Sequence, residues 1–473
     1  MSEKRIFIDR WDDPLEITIP ESATVMQAEP NPNFPPLEDL AEAIRVVLSS
    51  PMGMPALNEL VGKGSKVAIA FDDPLKYGPK FITIPVLLEE LKRAKVERGN
   101  ITLVSANGTH DKPPKDDFKG FYRDRYPVLP DEIVDEFWPD RFINHDAQDP
   151  EKLVEMGTSS LGDLVEHNRV LVDSDLVIYN GSVMPLIWGG YSGEGVVVGL
   201  GSARSIYSHH KISVIGAPGS IHSDPRTHLY RRHKDAVIDR IEEFIGKKIF
   251  FLNGVPDPTG GWAGFFAGHY REIQEAQWEC ADRQHLHETK QADIIVAGVP
   301  RYFFYGDTRN PIINMVAVVT IMRSWRNKPI LREGGVVILV TRCDGHIDAA
   351  KHPSYIRALE WFKTEGSAGA LEEKYFENLI SNKDFLRKYH EDHAYHPVHP
   401  IWLFNENQYA LDHARKIIFA TAENPEAPGT VGAEYAATFE DAMERALGLT
   451  GENPRILVLP NYFTFMPMIF DVE

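Results

Sequence analysis

Cysteine and long apolar runs are both scarce in this chain. Its 473 residues include two cysteines, Cys280 and Cys343, which argues against a disulfide framework and is typical of a reducing compartment. The longest apolar stretches, such as Val196–Leu200 and Val336–Val340, are far shorter than the ~20 residues that cross a bilayer. The opening residues, MSEKRIFIDRWDD, lack the apolar core of a secretory signal. We therefore expect a cytoplasmic protein that does not enter a membrane.

Positive charge is also in short supply. The chain has 50 Lys and Arg residues against 69 Asp and Glu residues, a net charge of −19. Because nucleic acid is bound through clustered Lys and Arg, no nucleic acid partner is expected. The chain is too long for one ordinary hydrophobic core, so two or three domains are expected. A small-molecule substrate is the expected partner.

The first half of the sequence contains a clear βαβ pattern. The apolar run Val67–Phe71 and the run Ile101–Ser105 predict strands, and Leu87, Leu88 and Leu91 mark a helix over Ile84–Lys95. Strand, helix and strand in this order predict two parallel, buried strands. An amphipathic helix over Leu37–Ser49 precedes them.

The second half repeats this alternation of strands and helices. Further strands are predicted at Leu176–Tyr179, Phe250–Leu252, Asp293–Ala297, Val336–Val340, Ile417–Ala420 and Ile456–Leu459, and further helices at Met315–Arg326, Tyr355–Thr364 and Phe439–Ala446. A polar run at Arg283–Ala292 suggests a boundary. The sequence predicts an α/β protein of two α/β domains with mainly parallel sheets, over residues 1–285 and 286–473.

Polar residues follow both strands of the βαβ unit. Asp72, Asp73 and Lys76 come after the first strand, and Thr109 and His110 after the second. Ligands bind at the carboxyl ends of parallel strands, so these two loops are expected to face one crevice and to bind and deprotonate an anionic substrate. Capping and turn formation are the alternative explanation for the aspartates, and an ordinary surface histidine is the alternative for His110.

Glycine is concentrated between Trp188 and Gly201. Such a segment brings the backbone close to another group, often an anion. The glycines Gly193, Gly195 and Gly199 superficially resemble a dinucleotide fingerprint, but no clean strand precedes them. A purely structural glycine-rich corner is the alternative.

Two groups of histidines are candidates for metal binding. His209 and His210 are adjacent, and in an extended segment only one of them would face a given site. The second group, at His390, His393, His396 and His399, has a spacing of three with intervening prolines, which suggests an extended run with one lined side. No cysteine or carboxylate at standard spacing supports a dedicated zinc site there.

These segments together resemble the nickel-pincer lactate racemase family (LarA-like). The resemblance rests on the loop Asp72–Pro79, the block ITLVSANGTH ending at His110, the stretch Asn144–Asp146, the block GGYSG at 189–193, and Ser205–His210. It extends more faintly to about residue 345. The resemblance implies two α/β domains with the site in the cleft between them. It also implies a nickel complex of a pyridinium nucleotide that takes a hydride while histidines exchange the hydroxyl proton.

Carried over by position, the resemblance gives roles to several residues. His110 would be a catalytic acid–base histidine and His210 the nickel ligand. Asp73 and Lys76 would lie in the cofactor and substrate loop, and Gly193 and Gly195 in the cofactor-binding block.

Other family positions are changed in this chain. Leu186 stands where the family has its second acid–base histidine, and Val196 stands where it has the lysine that carries the cofactor. Lys76 replaces an arginine, Asp111 replaces another, and the segment RNPIINM at 309–315 lacks the family's substrate-holding Tyr-Gln-x-x-Lys. A nickel-pincer or related nucleotide would therefore be bound without a covalent link. Glu194, Tyr191 and His209 are candidates to replace the lost base.

The sequence thus predicts a divergent racemase or epimerase of a 2-hydroxy acid or related polar substrate, with cofactor-maturation proteins as possible partners. The alternative is a non-catalytic or regulatory homologue that binds a nucleotide or organic acid in the same cleft. A nicotinamide-type oxidoreductase using the glycine loop is the third hypothesis.

Overall fold

The computed structural model describes residues 2–464 and 466–473 and contains two main β-sheets. The first sheet has six strands, in the spatial order Trp262–Gly268, Phe250–Pro256, Leu176–Ser182, Val67–Asp72, Ile101–Ala106 and Phe142–Asn144. All neighbouring pairs are parallel except the first, which is antiparallel. The parallel strands predicted from the sequence are confirmed.

The second sheet is parallel throughout. Its spatial order is Glu434–Ala436, Lys416–Ala420, Leu331–Val340, Ala292–Pro300, Ile456–Leu459 and Thr24–Val25, and Arg10–Trp11 also pairs with Ala292–Pro300. The four strands predicted after residue 293 are all present. Two strands of this sheet come from the N-terminal 25 residues, so the chain starts on the second sheet before it builds the first. The division at residue 285 remains a prediction.

Short two-stranded ribbons complete the β structure. They pair Glu3–Ile8 with Leu15–Pro20, Phe121–Tyr122 with Tyr126–Pro127, Leu153–Thr158 with Leu164–Asn168, Pro185–Leu186 with Gly190–Tyr191, Leu286–Thr289 with Ile469–Val472, and Tyr302–Phe303 with Gly306–Asp307.

Helices connect the strands and cover the sheets. They are Leu40–Ser49, Leu57–Leu60, Lys80–Arg93, Asp131–Phe137, Val170–Asp173, Val196–Gly199, Ala203–His210, Ile212–Ile215, Leu229–Ile245, Tyr270–His285, Pro311–Arg323, Pro353–Glu365, Ala368–Ile380, Lys383–Glu391, His399–His413 and Phe439–Thr450. No helix within residues 2–464 and 466–473 has the length and apolar character needed to span a membrane.

Strand Val67–Asp72 is buried along its whole length, as expected for a central parallel strand covered on both faces. The helix that follows it begins at Lys80, four residues before the predicted start. Pro85 therefore lies inside the helix, where it leaves the carbonyl of Phe81 without the usual hydrogen bond.

The two histidine predictions based on extended backbone are wrong. His209 and His210 lie in helix Ala203–His210, and both are buried. His390 lies in helix Lys383–Glu391, and His399 begins the helix that ends at His413. Pro400 stands in the first turn of that helix, where its fixed φ angle favours helix initiation.

The first half of the chain, up to residue 285, and the second half, from residue 286, share a hydrophobic core. Leu75, Ile187 and Ile206 from the first half pack in the same cluster as residues of the second sheet and of helix Pro311–Arg323. Every residue of that helix is buried, as expected for a helix that is apolar all round. The two halves are therefore joined by a shared apolar core.

Candidate active site

The two strand-end loops predicted to face one crevice do meet. Strands Val67–Asp72 and Ile101–Ala106 are parallel neighbours, and their last residues, Asp72 and Ala106, are directly paired. The turn after Ala106 carries Gly108 at φ +55° and returns His110 toward the first strand. As a result, Nδ1 of His110 lies 2.6 Å from Oδ2 of Asp73.

Asp73 is held as a carboxylate. Burial alone would raise its pKa, but the hydrogen bond and charge of His110, together with Lys76 and Lys80, bring that pKa below its ordinary value. Lys80 is itself buried and donates to the backbone carbonyl of Asp73 at 3.0 Å. Burial lowers the pKa of Lys80 to about 8, although Asp72 and Asp73 oppose this shift. When the ring of His110 is neutral, an ionised Asp73 accepts its Nδ1–H, and Nε2 is then the nitrogen without a proton.

His110 faces a partly open cavity between the two halves of the molecule. The cavity has a volume of about 80 Å³, roughly that of two or three water molecules. Residues from the first half on its wall are Asp72, Lys76, Thr109, His110, Leu186, Trp188, Ser192, Gly193, Glu194, Gly195, Val198, Ile206, His210, Tyr230 and Lys234. The second half contributes Tyr305, His399, Trp402, Leu403 and Glu406.

A larger surface groove of about 770 Å³ lies elsewhere on the first half. Its lining includes Val67, Thr102 and Phe142, which stand at the amino ends of their strands. Ligands of parallel sheets bind at the carboxyl ends, so the interdomain cavity is the better candidate site.

The structure places all the predicted site residues at or beside this cavity. Lys76, Gly193, Gly195, His110 and His210 line it, and Asp73 stands directly behind His110. Their individual roles remain predictions. Nζ of Lys76 lies 3.7 Å from Oδ1 of Asp72, so its ammonium is partly neutralised by the neighbouring carboxylate.

Gly193 and Gly195 of the glycine-rich segment are required because other parts of the protein pack closely against them. A Cβ on Gly195 would lie 1.9 Å from the hydroxyl of Tyr179, which donates to Asp72 at 2.6 Å. Gly193 has φ +124° and lies against Asn253 and Val183. These contacts favour the structural explanation of the segment, and cofactor binding by Gly193 and Gly195 stays a prediction.

His210 is buried as a neutral imidazole. Burial lowers its pKa to about 3. Its Nδ1 lies 3.1 Å from the carbonyl of Ile206, and the hydroxyl of Tyr230 is 3.3 Å from Nε2. Nδ1 of His210 also lies 3.0 Å from Nδ1 of His209. If Nδ1–H donates to the carbonyl of Ile206, Nε2 is the acceptor for the Tyr230 hydroxyl at the cavity wall.

The candidates to replace the lost base differ in position. Tyr191 donates to Asp282 at 2.6 Å, and His209 is completely buried; neither lines the cavity. Glu194 does line it, but this carboxylate accepts hydrogen bonds from Arg231 and, at 3.4 Å, from Lys234.

Several cavity residues were not assigned to the site from the sequence, among them Lys234, Tyr305 and Glu406, and His399 was considered only as part of the second histidine group. Burial and the neighbouring Arg231 lower the pKa of Lys234 to about 7, against the opposing effect of Glu194. His399, Trp402, Leu403 and Glu406 occupy positions i, i+3, i+4 and i+7 of one helix. That spacing is visible in the sequence, but only a prediction of the helix would have made it informative.

The second histidine group does not gather at one site: His399 lines the cavity beside His110, and the other three histidines bond elsewhere. Nδ1 of His393 bonds the carbonyl of Lys112, Nε2 of His396 bonds Gln148, and His390 lies 3.5 Å from Asp146. Among the residues that the structure describes, no three His, Cys, Asp or Glu side chains are grouped so as to hold a metal ion.

Comparison with known proteins finds similarity to lactate racemases. Residues 12–222 match the sequence model of the lactate racemase N-terminal domain. A lactate racemase of Thermoanaerobacterium thermosaccharolyticum is 24% identical over 315 residues, which cover 64% of this chain and 66% of that protein. A lactate racemase of Lactiplantibacillus plantarum is 22% identical over 431 residues, 89% of each chain. The chain is therefore similar to lactate racemases, most clearly over residues 12–222.

Solved structures show the same fold. The chain matches the lactate racemase apoprotein from Thermoanaerobacterium thermosaccharolyticum with a TM-score of 0.73 and 19% identity, over 99% of this chain and 100% of that one. A protein from Thermotoga maritima matches with a TM-score of 0.58 and 16% identity, over 93% and 99% of the two chains. The α/β fold of mainly parallel sheets is shared with these relatives.

Proposed function

We propose that this LarA-like protein is a racemase or epimerase of a small 2-hydroxy acid, acting in the cavity between its two halves. The observation that carries the proposal is the Asp73–His110 pair, whose Nδ1–Oδ2 distance is 2.6 Å and whose imidazole lines the cavity between the two halves. The similarity to lactate racemases supports an isomerase. The loop-end position of the pair fits a catalytic group on a parallel sheet.

In this mechanism His110 accepts the proton of the substrate hydroxyl at Nε2. Inversion at carbon 2 also requires that the C2–H bond breaks, and a bound hydride acceptor would have to take up that hydride, because none of the side chains that line the cavity accepts one. Asp73 holds the Nδ1–H tautomer and stabilises the imidazolium that forms, because the carboxylate is charged and buried beside it. General base catalysis of this kind contributes ~10²–10⁴-fold to rates.

The substrate carboxylate needs a cationic partner. Lys76 and Lys234 both line the cavity and supply ammonium groups. A lysine is a point charge and does not form the two parallel hydrogen bonds that an arginine makes to a carboxylate. We therefore expect weaker orientation of the carboxylate than in a relative with arginine at position 76.

The described residues do not fit the cofactor that the resemblance implies. Val196, at the position of the attachment lysine, has no exposed surface and packs in the core beside the first sheet. The cavity of about 80 Å³ is well below the ~300–1,000 Å³ of nucleotide-sized pockets. No step of the mechanism is therefore drawn through a nickel-pincer or related nucleotide. Its non-covalent binding, nickel at His210 and help from maturation proteins stay predictions.

One observation favours the second candidate, a non-catalytic homologue that binds an organic acid. Leu186 lines the cavity, and Val196 lies in the core; neither side chain can exchange a proton or form the family's covalent link. Such a homologue would bind the acid at Lys76 and Lys234 without converting it.

The two functions are separated by one pair of assays. Single enantiomers of 2-hydroxy acids of increasing size are incubated with protein produced with and without cofactor-synthesis enzymes, and the products are resolved by chiral chromatography. Calorimetry measures binding of the same acids. Racemisation or epimerisation of any acid supports the enzymatic function. Binding without conversion by either preparation contradicts it and supports the non-catalytic homologue.

We also propose a cytoplasmic location, on the grounds of the similarity to lactate racemases.

A further inference from the structure

Helix His399–His413 directs one face into the cavity. His399, Trp402, Leu403 and Glu406 share that face and line the wall opposite the glycine-rich segment. The helix belongs to the second half of the chain, so His399 reaches the site from the other side of the junction. Leu186, at the family's second histidine position, lines the same cavity without a polar group.

His110 and His399 are neighbours in this cavity. Their ring centroids are 5.2 Å apart, and the ring planes make an angle of 65°. Each ring is held at Nδ1 by a buried group: Oδ2 of Asp73 is 2.6 Å from His110, and the hydroxyl of Tyr355 is 2.6 Å from His399. Neither Nε2 atom has a hydrogen-bond partner among residues 2–464 and 466–473, so both edges are free for a ligand.

The two Nδ1 partners impose opposite tautomers. A carboxylate only accepts hydrogen bonds, so His110 carries its proton on Nδ1. Tyr355 is fully buried, and burial raises the pKa of its phenol well above the ordinary value, so the hydroxyl keeps its proton. Its one hydrogen bond to the described part of the chain is with His399. The hydroxyl must therefore donate to Nδ1, because the reverse direction leaves a buried O–H unpaired at a cost of ~1–3 kcal/mol.

His399 consequently carries its proton on Nε2. Burial and the nearby histidines hold its pKa well below the ordinary value, so the ring is neutral. A neutral ring with Nδ1 already occupied by a donor has no route to give up its Nε2 proton. It can donate a hydrogen bond but cannot act as a second base.

We propose that His399 is a further catalytic residue, whose Nε2–H donates a hydrogen bond to a substrate oxygen while Nε2 of His110 accepts from the substrate hydroxyl. This inference rests on the proposed function and specifies its substrate. The bound group presents a hydroxyl donor and, on the adjacent carbon, a carboxylate or carbonyl acceptor. A 2-hydroxy acid has this arrangement.

The first test needs no turnover. The full-length protein is labelled with ¹⁵N-histidine at pH 7, and long-range ¹H–¹⁵N correlation spectra assign each ring's tautomer, with H110Q and H399Q identifying the two signals. The expected result is Nδ1–H for His110 and Nε2–H for His399. Y355F should remove the preference at His399 and leave His110 unchanged. An Nδ1–H tautomer at His399 in the wild-type protein overturns the proposal.

The second test compares H399Q with H399L on the acid that the enzyme converts. Glutamine keeps an N–H near the position of Nε2, and leucine does not. We expect H399L to lose about tenfold or more in kcat/KM and H399Q to recover most of that loss. Equal activity of H399L and the wild-type protein overturns the proposal. Absence of turnover by the wild-type protein counts against the proposed function alone, because the tautomers are read independently.

Discussion

Two buried carboxyl groups near the cavity are held in opposite ionisation states. Asp73 is kept ionised by His110 and two lysines, as its lowered pKa indicates. Glu406 is fully buried, and burial raises its pKa well above the ordinary value despite the nearby Arg323. One of its oxygens, Oε1, accepts a hydrogen bond from Trp188, and Oε2 has no partner. The first group can hold a base in place, and the second can donate a hydrogen bond as a neutral acid.

Asp73→Asn tests the support given to His110. The amide has the shape of the carboxylate but can donate to Nδ1, which lets His110 adopt the wrong tautomer. We expect kcat to fall by ~10²–10⁴-fold with an unchanged circular dichroism spectrum. Asp13→Asn, at an exposed aspartate, is the matched control and should retain full activity. An undiminished kcat in D73N would remove Asp73 from the mechanism.

Glu406 gives a pH dependence of stability with a defined sign. Its folded pKa lies above the ordinary value of 4.5, so the folded protein binds this proton more tightly than the unfolded chain. The stabilisation is complete below pH 4.5 and is lost as the pH rises through the folded pKa. Glu406→Gln should remove this loss and be more stable than the wild-type protein at pH 8 by ~1–3 kcal/mol.

Urea unfolding midpoints of E406Q and the wild-type protein, measured from pH 4.5 to pH 8, check this expectation. The two curves should diverge as the pH rises. Parallel curves across that range would show that Glu406 is not held protonated by the fold.

At the residue scale, spacing in the sequence was enough to find part of the site. His110 and Asp73 follow neighbouring strands of a βαβ unit, and a general rule places such residues together. Lys234, His399 and Glu406 lie far along the chain and reach the cavity only through packing of the two halves. No local pattern marks a long-range contact of that kind.

At the scale of single elements, the glycine-rich segment is a packing device. Gly195 has an ordinary helical backbone with φ −64°, so its need for glycine comes from the Tyr179 hydroxyl that a Cβ would meet. The sequence showed the concentration of glycines but not which groups approach them. The prediction of an extended run at the second histidine group failed for a similar reason. The sequence showed the spacing of the histidines and prolines but not that a helix begins at His399, with Pro400 in its first turn.

Gly195→Ala tests the packing explanation. We expect a loss of ~1–3 kcal/mol in the free energy of unfolding, measured by urea denaturation, because backbone strain is absent and the clash is steric. The double variant G195A/Y179F lacks the clashing oxygen. Its loss in the free energy of unfolding should be smaller than the sum of the losses in the two single variants. Gly448→Ala, in a helix with open space at the Cβ position, should be neutral or slightly stabilising. A G195A protein as stable as the wild type would contradict the steric account.

At the scale of the whole molecule, the two halves are joined by a common core. Leu75 and Ile206 of the first half pack with Ile312 and Val316 of the second. The sequence predicted both parallel sheets, because continuous apolar runs alternate with amphipathic helices. It did not predict that Thr24–Val25 joins the second sheet, since a two-residue strand carries no periodic signal.

The burial of Val196, and its lack of a nucleophilic group, lead to a prediction about covalent modification. Protein produced with cofactor-synthesis enzymes should have the intact mass of the unmodified chain, because the position of the attachment lysine has no nucleophile and no exposed surface. Mass spectrometry of the denatured protein measures this directly. An added nucleotide mass would show that another residue, with Lys234 as the first to examine, carries the link.

The central claim is that His110, held by Asp73, exchanges a proton with a 2-hydroxy acid in the interdomain cavity. It is tested most directly by following a single enantiomer by chiral chromatography with the wild-type protein, H110A and the control H346A, which changes an exposed histidine. We expect the wild-type protein and H346A to bring the acid to a mixture of stereoisomers, and H110A to be slower by ~10²–10⁴-fold. Equal rates for H110A and the wild-type protein would contradict the claim.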